Sequence, residues 1–269
     1  MDNLLLAIKA ALKAGEKILT VYERDFNVET KADQSPLTEA DQQSNEVILT
    51  FLEESGIPVI SEEIKNMDYA QRAHWQRCWL VDPLDGTKEF IKRNGEFTVN
   101  IALIENGKPV LGVVYIPVQR KLFFAAEGQG SFVYAFRENE DMPDMPSLLQ
   151  RAQKLDHLAL PDVYTVVASR SHLSPETEAF IRKCKEKHRE LALVSMGSSL
   201  KLCLVAERKA HVYPRLAPTM EWDTAAAHAV AKFAGCSVLD FDTREELHYN
   251  KENLLNPHFI VLREEQLGV

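Results

Sequence analysis

Trp79-Leu80-Val81-Asp82-Pro83-Leu84-Asp85-Gly86-Thr87 is the stretch of this chain best suited to chemistry. An apolar run meets two carboxylates three residues apart, then a glycine, then a hydroxyl. Hard dications such as Mg²⁺ take carboxylate and carbonyl oxygens and usually sit between the protein and a substrate phosphate. Pro83 fixes one backbone angle between the acids, which helps both point into one small volume. Gly86 has no side chain to keep a phosphate off its N–H, and Thr87 is placed to open a short helix whose N-terminus favours anions. The competing reading is a solvated acidic turn, because Asp-Gly pairs commonly make turns.

Two further segments share the pattern. Val59-Ile60-Ser61-Glu62-Glu63 is a second apolar run ending in acids, and Glu221-Trp222-Asp223-Thr224 opens an Ala-rich helical stretch. Singly, each acid reads as a cap or a surface charge, with Asp223 as the start of its helix. Three such transitions together suit a multi-metal site for phosphoryl transfer.

On these residues the chain resembles a known family. WLVDPLDGT with the downstream Glu-Trp-Asp-Thr-Ala-Ala-Ala-His is similar to the paired signatures of the inositol monophosphatase superfamily, Mg²⁺-dependent and lithium-sensitive phosphatases. Asp85 to Asn100, Gly197-Ser198-Ser199-Leu200-Lys201 and Tyr213-Pro214-Arg215 resemble its bacterial 3′(2′),5′-bisphosphate nucleotidases. Lys88-Glu89-Phe90 stands where inositol phosphatases carry Asn-Phe. The resemblance runs from Lys31 to about Arg263; segment 135–163 is longer and more acidic than the family leads one to expect.

The resemblance implies stacked α-β-α-β-α layers with two to three Mg²⁺ ions where two halves meet. Glu62, Asp82 and the Leu84 carbonyl would hold one ion, and Asp82, Asp85 and Asp223 a second. A third would sit loosely near Glu62. Asp41 and Thr87, with Glu62, form the implied catalytic set, Thr87 and Asp41 activating the attacking water. Gly86, Thr87 and Asp223 would meet the scissile phosphate; Ser198, Lys201 and Arg215 the adenosine and its second phosphate. The implied reaction removes the 3′-phosphate of adenosine 3′,5′-bisphosphate to give AMP, with the sulfated analogue as a second substrate, in sulfur assimilation. The alternative is the same chemistry on inositol monophosphate or another small sugar phosphate.

Several residues keep an ordinary reading beside the chemical one. Thr38-Glu39-Ala40-Asp41 is also a capping-box pattern. Glu63 reads equally as a surface acid, Asp33 as part of a turn, Lys201 as a solvated lysine, Arg215 as a structural arginine and His172 as hydrogen-bonded filler. A haloacid-dehalogenase mechanism needs an Asp-x-Asp nucleophile, and these acids are three apart. A non-catalytic nucleotide or metal sensor would have no use for the Asp41–Thr87 pair.

These groups need a scaffold. The 269 residues, 45% hydrophobic, can bury a large core. The net charge of −9 argues against nucleic-acid polymers or an anionic membrane as the main partner, and bound cations would invert that sign locally for an anionic substrate. No apolar run approaches membrane-spanning length, and Cys78, Cys184, Cys203 and Cys236 are scattered without a C-x-x-C pair. The expected setting is cytoplasmic, with peripheral association with the inner membrane left open, and the expected state a monomer or homodimer.

The expected architecture is α+β passing into α/β: an N-terminal domain (1–145) carrying the metal loop, a connecting segment (146–159) and a C-terminal α/β domain (160–269). Leu4, Leu5, Ile8, Leu12, Ile18, Leu19 and Tyr22 fall at helical spacing, and a second helix should follow Thr38 on Val47, Ile48, Phe51 and Leu52. Asn106-Gly107 between β-rich runs signals a hairpin, extended by Lys121–Ala126 and Ser131–Phe136 into an antiparallel meander. Glu138–Pro146 reads as an acidic loop. Strand and helix then alternate, with Ser174-Pro175 starting one helix and Gly235 closing another.

Overall fold

The computed structural model describes residues 2–30, 36–64, 68–169 and 174–263. Its first half runs α1 (Asn3–Tyr22), β1 (Val28–Thr30), β2 (Pro36–Thr38), α2 (Glu39–Leu52), β3 (Val59–Ser61), α3 (Tyr69–Arg72), β4 (Arg77–Asp85) and α4 (Thr87–Ile91). It continues through β5 (Thr98–Glu105), β6 (Lys108–Ile116), β7 (Lys121–Ala126), β8 (Gly130–Ala135), α5 (Met145–Arg151) and β9 (Gln153–Lys154). The second half is β10 (Tyr164–Ser169), α6 (Pro175–Lys187), β11 (Leu191–Met196), α7 (Leu200–Ala206), β12 (Val212–Arg215), α8 (Glu221–Lys232), β13 (Cys236–Asp240) and β14 (Phe259–Arg263).

Strands β3 to β9 form a seven-stranded sheet in sequence order, antiparallel except for the parallel pair β3–β4. The hairpin between β5 and β6 turns on Asn106 and Gly107, both at positive φ (50° and 78°), as a type I′ turn requires. The five-stranded sheet has the order β11-β10-β12-β14-β13; β10 pairs parallel with β11 and β12, and β14 antiparallel with β12 and β13. One core lies between α1–α2 and the larger sheet, a second between the two sheets around α7 and α8, and a third under α6. The layers are therefore α-β-α-β-α, as the resemblance implied.

Helix α8 is the middle layer, and its composition explains its place. Ala225, Ala226, Ala227, Ala229 and Ala231 are all buried, so the helix is apolar nearly all round. It lies so close to β6 that a Cβ on Gly112 would come within 2.2 Å of the Ala226 carbonyl oxygen. Small residues on both surfaces are the condition for that contact.

Two expected stripes are found in part, with Leu4, Ile8, Ile18, Ile48 and Leu52 buried, and are wider than the spacing implied. In α1 the buried line is Leu4, Leu6, Ala7, Ile8, Ala10, Ala11, Ala14, Ile18 and Val21; Leu5, Leu12, Leu19 and Tyr22 lie on its flank. Small side chains let α1 approach the sheet, where a Cβ on Gly15 would meet the Tyr115 ring at 2.4 Å. In α2 the buried face is partly polar, with Asp41, Ser44 and Asn45 beside Ile48 and Leu52, while Val47 and Phe51 are half-buried. That face looks onto the acidic loop. Residues 146–159, expected as a connecting segment, carry most of α5 and all of β9, the outermost strand of the larger sheet, with Leu148 and Leu155 fully buried. Helix α8 opens at Glu221, the first residue of the Glu221–Thr224 motif. Among the described residues no helix is long and apolar enough to cross a membrane, and all four cysteines are free and buried.

Candidate active site

The last residues of β4 carry the first two acids. In a regular strand, residues three apart face opposite sides of the sheet. Here the β4–β5 register passes from Asp82↔Asn100 to Asp85↔Thr98, one extra residue on β4, and that bulge brings Asp82 and Asp85 to the same side. The Ser44 hydroxyl, from the polar face of α2, donates to the Pro83 carbonyl at 2.7 Å and holds the bulge. At the end of β3 the Ser61 hydroxyl donates to Asn45 Oδ1 at 2.7 Å, fixing the strand just before Glu62. Asp223 occupies the third position of α8, in its first turn.

Carboxylate oxygens of Glu62, Asp82 and Asp223 lie within 4.8 Å of one another. Asp82 Oδ1 accepts the Leu84 N–H (3.0 Å), Asp223 Oδ2 accepts the Met220 N–H (2.8 Å), and Asp85 Oδ2 accepts the Ser199 N–H (2.5 Å) and the Asn100 amide (3.3 Å). In each case one oxygen is held by the backbone and the other makes no hydrogen bond among the described residues. Burial, with repulsion from Glu62, Asp85 and Asp223, pushes the Asp82 carboxyl well above the usual carboxylate range. Burial followed by Asp85 and Glu62 does the same to Asp223. Burial raises Asp85 to about 6, against the lowering influence of Lys201 and the Ser199 N–H. A dication removes this penalty by supplying the missing opposite charge. The convergence of Glu62, Asp82 and Asp223 on one volume suits such an ion, and Asp85 stands beside that trio rather than in it.

The two readings of Asp41 prove compatible, because they use different oxygens. Oδ2 accepts the Thr38 N–H and hydroxyl, both at 2.7 Å, and so closes a capping box on α2. Oδ1 accepts the Thr87 hydroxyl at 3.1 Å. Gly86, at φ 96°, ends β4 and starts α4 in a conformation natural to glycine.

A cavity of about 150 Å³ adjoins the acids, lined among others by Asp85, Gly86, Ser198, Lys201, Arg215 and Asp223. Lys201 is 8% exposed and its ammonium donates to the Ser198 carbonyl (2.5 Å) and the Met196 carbonyl (3.4 Å). Burial brings its pKa down to about 8, countered by Asp85. The Arg215 guanidinium donates to the Pro218 carbonyl at 2.9 Å, while its Nε and the Ser198 hydroxyl are buried without a partner. The solvated lysine face is thereby excluded.

Not every acid of the three motifs joins the centre. Glu221 turns away, fully buried, accepting the Asn250 and Lys251 N–H groups and pairing with the Lys251 ammonium. Glu63 is half-buried and outside the converging trio. Asp33 and His172 fall outside the described residues. Sequence reasoning gave no role to Ser199 or Asn100. The Ser199 hydroxyl lies 3.0 Å from Thr98 Oγ1 and donates to Asn100 Oδ1 at 2.9 Å, so the two residues jointly hold Asp85. Both stand inside motifs quoted above, where the only signal was a small hydroxyl and an amide among apolar neighbours.

A layered fold whose strand ends bring buried carboxylates together beside a basic cavity defines a phosphohydrolase of the metal-dependent class. The model of the inositol monophosphatase family matches residues 2–266, and the chain belongs to that family. It is 46% identical over 255 residues to the 3′(2′),5′-bisphosphate nucleotidase CysQ of Escherichia coli strain K12, covering 93% of this chain and 96% of the relative. The crystal structure of CysQ from Bacteroides thetaiotaomicron, described as a bacterial member of the inositol monophosphatase family, is 53% identical, covers 97% of both chains and superposes with a TM-score of 0.89. A Thermotoga maritima IMPase shares the fold at 24% identity and a TM-score of 0.73, over 97% of this chain and 92% of that one.

Proposed function

We propose that this chain is a Mg²⁺-dependent 3′(2′),5′-bisphosphate nucleotidase of the CysQ type, converting adenosine 3′,5′-bisphosphate to AMP and phosphate. The sulfated analogue is its second substrate, and clearing a by-product of sulfate assimilation in the cytoplasm its task. One observation carries the reading: the oxygens of Glu62, Asp82 and Asp223 converge, and Asp223 with Asp85 lines a cavity that also holds a buried lysine and unpartnered atoms of Ser198 and Arg215. A single-phosphate substrate would need the acids but not the second set of donors. In the division at 1–145 and 160–269, most acids come from the first part, and the cavity's cations are Lys88 from the first and Lys201 and Arg215 from the second.

Glu62, Asp82, Asp85, Asp223 and the Leu84 carbonyl are the groups that would hold two to three Mg²⁺ ions. Such ions supply neutralisation of phosphate charge and stabilisation of the leaving oxygen. The rest belongs to the chain's own residues. Thr87 donates its proton to Asp41, which leaves its oxygen lone pairs to accept from a water. Asp41 is buried and its second oxygen is occupied by Thr38, so its carboxylate is held toward Thr87, whose hydroxyl lies nearer to it (3.1 Å) than to the Leu84 carbonyl (3.4 Å). Fixed geometry of this kind holds a water in line with the scissile bond. Lys201, Arg215 and Ser198 meet the phosphate that is not cleaved.

Phosphate release in Mg²⁺ over a panel of substrates tests this. Adenosine 3′,5′-bisphosphate should be turned over at least tenfold more efficiently than inositol 1-phosphate or fructose 1,6-bisphosphate, with inhibition by millimolar Li⁺. Comparable turnover of inositol phosphate would move the assignment to the sugar phosphatases. Tight nucleotide binding with no release would make the chain a sensor.

A further inference from the structure

The loop between β11 and α7 reaches the acids only because something holds it, and the structure shows what. Glu96, just ahead of β5, accepts the Gly197 N–H on Oε2 at 2.8 Å. The next residue, Ser198, stands at φ 47°, in the left-handed region that costs energy outside glycine. Ser199 then delivers its N–H to Asp85 at 2.5 Å. Room for the clasp exists because position 197 is glycine: a Cβ there would fall 2.8 Å from both Glu89 Cγ and the Glu96 carbonyl oxygen.

We infer that Glu96 is a positioning residue, whose carboxylate holds the Gly197–Ser199 turn in place so that the Ser199 N–H fixes Asp85 as a metal ligand. The inference deepens the nucleotidase reading but rests mainly on geometry around Asp85. Glu96 itself is not one of the converging carboxylates. Without its grip, the strained Ser198 is free to relax to negative φ. That relaxation withdraws the Ser199 N–H, and it shifts the Ser198 carbonyl to which Lys201 donates. Groups that orient a ligand from behind typically change metal affinity or activity by roughly 10–100-fold when removed.

The test compares E96A, E96Q and wild type in Mn²⁺ binding, followed by electron paramagnetic resonance, and in the Mg²⁺ dependence of phosphate release. E96A should weaken Mn²⁺ binding by about tenfold and raise half-saturating Mg²⁺ by a similar factor. E96Q, which still presents an oxygen to the Gly197 N–H, should recover most of the loss. If E96A does not fold, E96D replaces it, keeping the charge and losing the reach. Mn²⁺ binding unchanged in E96A or its replacement, or E96Q as damaged as E96A, overturns the inference. A wild type that binds Mn²⁺ but releases no phosphate from the bisphosphate would sink the nucleotidase reading alone, since the Mn²⁺ comparison still decides the role of Glu96.

Discussion

The two flanks of the centre are strained in opposite senses. On one side Asp82, Asp85 and Asp223 lie close together, and loss of solvation, with repulsion from Glu62 acting on each, raises all three carboxyls. On the other, Lys201 is buried so deeply that its ammonium is depressed to about 8, and donors of Arg215 and Ser198 go unmatched. The acid flank is complementary to cations and the basic flank to an anion. Their adjacency, with Lys201 partly relieved by Asp85, makes the site suited to a ligand carrying phosphate into both. Under the proposed function, the contrast divides the work into chemistry on the acid flank and selection on the basic one.

The largest effect should come from the acid flank. Asp223→Asn keeps a side-chain oxygen for the Met220 N–H but removes the charge, and should lower turnover on the order of 10³-fold, several kcal/mol of transition-state stabilisation. In metal-free buffer the same substitution should raise the melting temperature, because it deletes a buried and repelled charge. Turnover within tenfold of wild type, read by phosphate release at saturating Mg²⁺, would break the division of labour.

A smaller and more selective effect belongs to the basic flank. Lys201→Ala should raise KM for adenosine 3′,5′-bisphosphate by roughly 10–100-fold, the worth of one buried charged hydrogen bond, with kcat nearly kept. On 3′-AMP, which lacks the second phosphate, it should change little. In wild type, KM for the bisphosphate should climb as pH rises through about 8, where Lys201 loses its proton. Equal losses on both substrates would mean that Lys201 supports the loop rather than reading the ligand.

The same contrast explains what the sequence disclosed. The acid flank was legible because two apolar strands and the start of an apolar helix each carry acids, a pattern that chance seldom repeats three times. The hairpin at Asn106-Gly107 and the start of α6 at Ser174-Pro175 were legible because turn and cap chemistry is local. The bulge that turns Asp85 toward Asp82 was not, since it depends on pairing with β5. Nor were Ser199 and Asn100, whose hydrogen bonds to Asp85 join residues 114 and 15 positions apart. The inward face of α2 was read only in part for a related reason: the hydrophobic stripe found Ile48 and Leu52, whereas Asp41, Ser44 and Asn45 are buried to hold the loops. Segment 146–159 hid its edge strand because two residues carry no periodicity.

The smallest expected effect is in how pH tunes the acid flank. Asp85 in the folded chain holds its proton up to about 6, above its ordinary value of 3.8. Between those two values the folded form binds more protons than the unfolded one, so the metal-free chain loses stability from this group as pH rises. A dication binds only the ionised form and competes with that proton. The rise in melting temperature on adding Mg²⁺ should therefore be greatest near pH 7.5 and shrink by a few degrees on passing below 6, an effect on the order of 2 kcal/mol. Asp85→Asn should reduce that dependence, leaving the part due to Asp82 and Asp223, and should move the Lys201 limb to lower pH because the charge that supports its ammonium is gone. A Mg²⁺ shift that stays constant from pH 5 to 7.5 would mean that the carboxyls are not competing with the ion, and the opposition between the two flanks would then lose its electrostatic basis.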